Sequence, residues 1–323
     1  MPRGTSPDLT ATRDHKSPAA TPPAPAAGRA TAWPGLLLFL GVASVFLPTL
    51  RHDFITYDDP AYVLHNPHVN SGLTWENLRW AWQSFEHSNW HPLTWMSHQL
   101  DCTLFGLQPW GHHLTNLLLH AASTLVLFLA LRRATGFRWR SLIVAALFGL
   151  HPLRVESVAW IAERKDVLST LCWMLSLWAY VLYGQLRRGA DRRRARLAYA
   201  GALGALAAGL TAKPMLVTLP CVFLLLDLWP LDRWRGAALR QRLGLWAEKL
   251  PFFALAAASC IVTTRAQAAG GALQALEDFS LPQRGANALL AYAQYLGKLF
   301  WPDRLAVLYP NCGEPLTFWP PVL

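Results

Sequence analysis

The run WPGLLLFLGVASVFLPTL, residues 33–50, decides the class of this protein. It carries no charge, and its length falls within the about 17–25 residues that a helix needs to cross a bilayer. Further apolar runs occupy 114–131, 167–183, 197–212, 215–231 and 250–264, several flanked by Trp and Tyr of the kind that anchor helices at the membrane–water interface. The run 141–150 is short and Pro152 interrupts it. We read it as a spanning helix whose outer end breaks in a protein-lined cavity, where irregular backbone at that depth is tolerated. The segment 285–301, GANALLAYAQYLGKLFW, is amphipathic and fits either an interfacial or a spanning helix. Composition agrees: 53% of the 323 residues are hydrophobic and 15% charged, against about 25% charged in a soluble domain. The expected fold class is an all-α polytopic membrane protein.

Charge sets the orientation. The net charge is +10, and arginine supplies most of the positive residues. Three loops are strongly basic: Arg132, Arg133, Arg138 and Arg140; Arg187, Arg188, Arg192, Arg193, Arg194 and Arg196; and Arg233, Arg235, Arg240, Arg242 and Lys249. All three fall on one side if every run from 33 onward spans once, and the positive-inside rule makes that side cytoplasmic. Nucleic-acid binding would not produce this alternation, so no nucleic-acid partner is expected. Residues 1–32, rich in Pro, Ala, Ser and Thr, are expected to be a disordered cytoplasmic tail. Residues 33–323 then form the membrane domain, with loop 51–113 and segment 151–166 on the extracytoplasmic side. Five cysteines lack any CxxC spacing, which leaves no metal knuckle or redox pair; Cys102 and Cys312 share the outer side and could pair there.

The outer loop opens with HDFITYDDPAYVLHNPHV, residues 52–69. Adjacent carboxylates at Asp58 and Asp59 repel, which raises the pKa of one unless a cation pairs it. Such a group suits general-base work on a hydroxyl. The pair could equally ligate a divalent cation, or be a solvated loop feature. The rest of the loop is rich in Trp and His, including His91, which suits sugar faces or lipid head groups and equally an interfacial aromatic belt. No histidine spacing indicates zinc.

In HPLRVESVAWIAERKD, residues 151–166, His151, Arg154, Glu156, Glu163, Arg164, Lys165 and Asp166 stand between two spanning segments. Charges at membrane depth are expensive, and are functional or paired. The cations could hold a phosphate, Arg164 by a bidentate fork, or could close an internal salt-bridge network. Glu163 and Asp166, three apart, share a helical face. Lys213, in TAKPMLVTLP at 211–220, either snorkels or meets a lipid phosphate.

Together YDDPAYVLHNPHV, NWHPLTWMSHQLDCTLFG, PWGHHLTNLLLH, HPLRVESVAWIAERKDVLS and AKPMLVTLPCVFLLLDLWPL resemble the bacterial relatives of the transmembrane and tetratricopeptide repeat-containing proteins, from about Phe54 to Asp227 and more weakly to Tyr309. The resemblance implies a GT-C glycosyltransferase fold in the bacterial inner membrane. It also implies a sugar donor linked to a polyprenyl or dolichyl phosphate, mannose in the related enzymes, and a protein Ser or Thr hydroxyl as acceptor. By motif, Asp58 and Asp59 match the acidic pair of the first loop, Arg164 a basic position of the outer segment, and His151 and Glu156 polar positions in it. The family continues into repeats, whereas no 34-residue repeat is visible here and the chain stops at FWPPVL. That implies a truncated product, a split gene or a minimal form.

The expected mechanism places Asp58 as base and Asp59 as its tuning neighbour. Arg164 holds the donor phosphate, with Arg154, Lys165 and Lys213 beside it, and His151, Glu156 and His91 in support. The competing reading is a membrane scaffold whose acidic loop binds a partner. A transporter, the third class, would carry more ionisable residues within its helices than His120 and Asp227.

Overall fold

The computed structural model describes residues 32–272, 280–303 and 305–306. Among them the chain is all helix and turn. The helices are α1 (Ala32–Phe46), α2 (Pro67–Asn70), α3 (Trp75–Gln83), α4 (Pro92–Phe105), α5 (Pro109–Thr135), α6 (Arg138–Leu150), α7 (Val155–Ala159), α8 (Arg164–Leu186), α9 (Arg192–Leu210), α10 (Leu219–Leu228), α11 (Leu239–Ala247), α12 (Leu250–Ala269) and α13 (Leu281–Phe300). The expected tail, apart from Ala32, lies outside the described residues, as do Cys312 and the FWPPVL terminus.

Four helical stretches are long and apolar enough to cross a membrane: 33–51, 109–135, 161–186 and 239–269. This is a multi-pass membrane protein. The longest uninterrupted helix, α5, shows how its ends are written locally. Pro109 opens it, where a missing N–H costs nothing, and Gly136 closes it at φ 77°, the left-handed turn that glycine adopts freely. α6 and the following 152–159 segment are bent by 53° and make a fifth crossing if taken as one. The break falls at Pro152, as expected, and His151 caps the new turn by accepting the Leu153 N–H at 3.2 Å on its Nδ1.

The expected spans at 197–212 and 215–231 are helical but do not reach that standard. Arg192, Arg193, Arg194 and Arg196 occupy the first turns of α9, and the apolar helix 214–228 is short. α9 is held by packing instead. A methyl on Gly209 would sit 2.1 Å from a Leu216 side-chain carbon and 2.9 Å from Cys172 Cβ, so only glycine permits this approach. α13 also falls short of a span, and its closing turn meets the break, His151 Nε2 lying 3.0 Å from the Leu299 carbonyl oxygen.

Three apolar cores organise the chain. One joins α1, α5 and α6 around Val42, Leu117 and Phe128. A second joins α8, α9, α10 and α12 around Tyr180, Leu206 and Phe223. The third joins the 51–108 unit to the 160–162 turn and includes Tyr62, Trp95 and Ile161. That unit sits on one end of the bundle. The Leu93 N–H donates to the Thr211 carbonyl (3.0 Å), Thr94 Oγ1 to the Ala212 carbonyl (3.0 Å) and Ser88 Oγ to the Gly270 carbonyl (3.3 Å). At the opposite end the basic loops meet one another: Gln185 donates to the Arg133 carbonyl (2.7 Å), and Arg187 lies 3.6 Å from Glu248.

Candidate active site

Pro60 starts a helical turn directly after the acid pair, and the Tyr62 N–H donates to the Asp58 carbonyl at 2.9 Å. That turn sends the two aspartates to different places. Asp59 is fully buried. One of its carboxylate oxygens accepts the Ile55 N–H and the other the Ala162 N–H, both at 2.8 Å. It therefore clamps the first loop to the 160–163 turn, a hundred residues away in sequence. Burial pushes its pKa up; the two amides pull it back, and the Asp58 charge adds to the rise. Asp58 is half-buried, and no hydrogen bond or ion pair engages its carboxylate among the described residues.

Tyr62 forms the floor beside it. Its ring stacks on His87 (4.9 Å between centroids) and His91 (5.7 Å) and packs against Trp95 (4.9 Å), while Lys165 Nζ stands 5.0 Å from its centroid. Lys165 pairs with Glu163 at 2.8 Å. Lys213 contacts Asp166 closely and lies 3.5 Å from the other Glu163 oxygen. Ser157 Oγ donates to Asp166 at 3.1 Å. The shared helical face of Glu163 and Asp166 is thus the one that receives Lys213. Glu156 is exposed within the electrostatic reach of Glu163, Asp166 and both lysines.

Several expected roles change. Arg164 does not face a donor phosphate: it is fully buried and its donors are occupied. Nε donates to Asn116, Nη1 to Ser97 (2.8 Å), and Nη2 to Asp101 (2.6 Å) and to the His112 carbonyl (2.8 Å). This bolts α4, α5 and α8 together, because a desolvated guanidinium must find carboxylate and oxygen partners. Asp101 and Asn116, which complete it, were not singled out from sequence, and their only signal is polarity inside helical runs. His151, expected in support of the site, caps the break. Each Asp59 oxygen already accepts one backbone N–H, so Asp59 serves the clamp between the first loop and the 160–163 turn. Among the described residues no group of three or more His, Cys, Asp or Glu is placed to hold a metal. His91 is a buried wall of the site: burial, and then the Lys165 charge, lower its pKa to about 3, so it is neutral at physiological pH.

Arg154 stands apart. Its guanidinium lies over the Phe148 ring, 4.4 Å from the centroid. Its buried Nε has no hydrogen-bond partner, and no carboxylate comes within ion-pair distance among the described residues. Arg154, Lys165 and Lys213 are therefore brought to the Asp58 end of the bundle on one short segment and its neighbour, whereas Arg164 is withdrawn into the interior.

The chain is 33% identical over 191 residues to the protein O-mannosyl-transferase Tmtc2 of Drosophila melanogaster, covering 57% of this chain and 20% of that protein. It is 34% identical over 143 residues to Drosophila Tmtc1, covering 42% of this chain and 16% of the relative. It is 32% identical over 155 residues to human TMTC2, covering 46% and 18%. The chain thus spans about a fifth of the length of these relatives. No family model matches it, and no solved structure does.

Proposed function

We propose that this chain is the membrane part of a GT-C-type protein O-mannosyltransferase, seated in a bacterial inner membrane with its site on the extracytoplasmic face. It would take the sugar from a polyprenyl-phosphate donor to a protein Ser or Thr hydroxyl. The observation that carries this reading is the split fate of the acid pair. Asp59 is locked by two amides, while Asp58 stays unengaged above an aromatic floor and beside clustered cations. The likeness to named O-mannosyl-transferases supports it, and the arginine-rich opposite end supports the orientation.

The chemistry follows from the placement. Asp58 takes the proton of the acceptor hydroxyl as its oxygen attacks the anomeric carbon. The bond from that carbon to the phosphate oxygen breaks, and its electron pair leaves with polyprenyl phosphate. The base works from the face opposite the leaving group, as in inverting glycosidases. Arg154, the cation of the 151–166 segment without an acid partner among the described residues, supplies fixed positive charge for the departing phosphate. Lys165 and Lys213 exchange their carboxylates for phosphate oxygens. Tyr62 and Trp95, both buried, hold the loop rigid behind the site, and Glu156 borders the acceptor side.

The test is Asp58→Asn, assayed in membranes with radiolabelled polyprenyl-phosphate mannose and a Ser/Thr peptide, with and without chelator. Loss of transfer by about 10²–10⁴-fold is expected, the usual contribution of a general base. Wild-type turnover in that variant would remove the assignment.

A further inference from the structure

We propose that the opposite, arginine-rich end of the bundle holds a binding site for the phosphodiester headgroup of an anionic phospholipid. Two adjoining cavities open there. One of about 560 Å³ lies between the end of α8 and α11 and is lined by Arg187, Arg188, Arg233 and Glu248. The other, of about 350 Å³, is lined by Arg235, Arg242 and Trp234, and the two share Asp232. These are ordinary volumes for a small polar ligand.

The way the charges are used shows what is missing. Glu248 takes Arg233 at 2.8 Å and Arg187 at 3.6 Å. Arg233 also pairs with Asp227 at 2.9 Å, so its charge is already compensated. Arg188 donates only to the Leu231 carbonyl, and Arg242 Nε to the Ala237 carbonyl at 3.0 Å; neither has a carboxylate partner among the described residues. Arg235 meets Asp232 at 3.8 Å, and both side chains are more than half exposed. Such a pair contributes little. Three guanidiniums therefore face the cavities with N–H donors and charge to spare, which is what a phosphate oxygen array satisfies.

Depth identifies the source of that phosphate. The stretch from α11 through α12 is 31 residues long, or about 46 Å at 1.5 Å per residue, whereas the hydrocarbon core is about 30 Å thick. The far end of α12 meets the 51–108 unit at Gly270. The 20 residues of α12 then account for the crossing, and α11 lies in the headgroup zone beside the cavity. Leu239, Leu243, Trp246 and Leu250 follow one another at helical spacing and are all exposed, extending the lipid-facing surface of α12 along the cavity rim. Acyl chains would lie on that stripe while the phosphate enters among the arginines.

Native mass spectrometry of protein extracted from nanodiscs containing phosphatidylglycerol and phosphatidylcholine tests this. Wild-type protein is expected to retain phosphatidylglycerol in preference and saturably. Replacing Arg188, Arg235 and Arg242 together with Gln should weaken retention at least about tenfold, because each change removes a charge-assisted guanidinium–phosphate hydrogen bond. Replacing Arg192, Arg193 and Arg196, exposed on the same face but outside the cavities, should leave retention within about threefold. Equal loss in the two triple variants would reduce the effect to diffuse surface charge and overturn the site. So would equal retention of both lipids by wild-type protein. Displacement of the lipid by inorganic phosphate at constant ionic strength would overturn the lipid in favour of a soluble anion. The last two outcomes need no variant, so they decide even where a triple variant fails to fold.

Discussion

The two ends of the helix bundle both carry buried charge, and they settle it differently. At the arginine-rich end Asp227 and Lys249 are fully buried and in close contact. Arg233 adds a second cation to Asp227, and Tyr180 donates to both its oxygens at 2.9 Å. Burial works against the Arg233 charge, but Asp227, Tyr180 and Glu248 more than offset it and raise its pKa, so Arg233 stays charged within the network. At the Asp58 end the account is left open. Among the described residues Asp58 has no partner and Arg154 no acid, and Lys213 stands between two carboxylates. Complete compensation holds helices in place; incomplete compensation leaves charge available for a ligand. The Arg164–Asp101 bolt shows that the closed kind also occurs on the Asp58 side, a few residues from the open one.

That contrast can be broken by unfolding measurements in detergent. The largest loss is expected for Asp227→Asn and for Arg164→Ala, each about 3–5 kcal/mol, because removing one member strands a buried opposite charge. If Arg164→Ala kept its stability and lost only donor affinity, Arg164 would return to the donor site. Asp59→Asn comes next, at about 1–3 kcal/mol, since an amide nitrogen would then point at one of the two backbone N–H groups. Transfer in that variant should fall only as far as the loop loosens.

Acid gives a smaller effect of defined sign. His91 and His98 are buried neutral, with pKa values pushed down by burial, to about 3 for His91. A lowered folded-state value means their contribution is intact above the ordinary histidine value near 6.5 and is lost as pH falls below it. At pH 5.5 each should cost about 1.4 kcal/mol. His112 and His113 are buried as well, so His98→Leu should remove only its own share of that slope, and an unchanged slope would mean this ring is already solvated. Asp58→Asn should be the mildest, within about 0.5 kcal/mol. A larger loss would make Asp58 structural and weaken its role as base.

Hydropathy and charge placement made the membrane class, the run at 33–50, the break at Pro152 and the clustering of arginines at one end legible, because each is a property of contiguous residues. The difference between Asp58 and Asp59 was not legible. Adjacent identical side chains diverge because Ile55 and the distant Ala162 each offer an N–H to one of them. Arg164 and Arg154 were likewise indistinguishable in the segment 151–166 until Asp101 and Asn116, far off in sequence, closed around the first.

The sequence by itself therefore determined where this chain can meet lipid and which end carries positive charge, since transfer free energies are additive along the chain. Only the tertiary structure decided which carboxylate is free and which arginine is consumed. Desolvation and pairing depend on groups brought together from α4, α5 and the 160–163 turn, and no local pattern encodes that meeting.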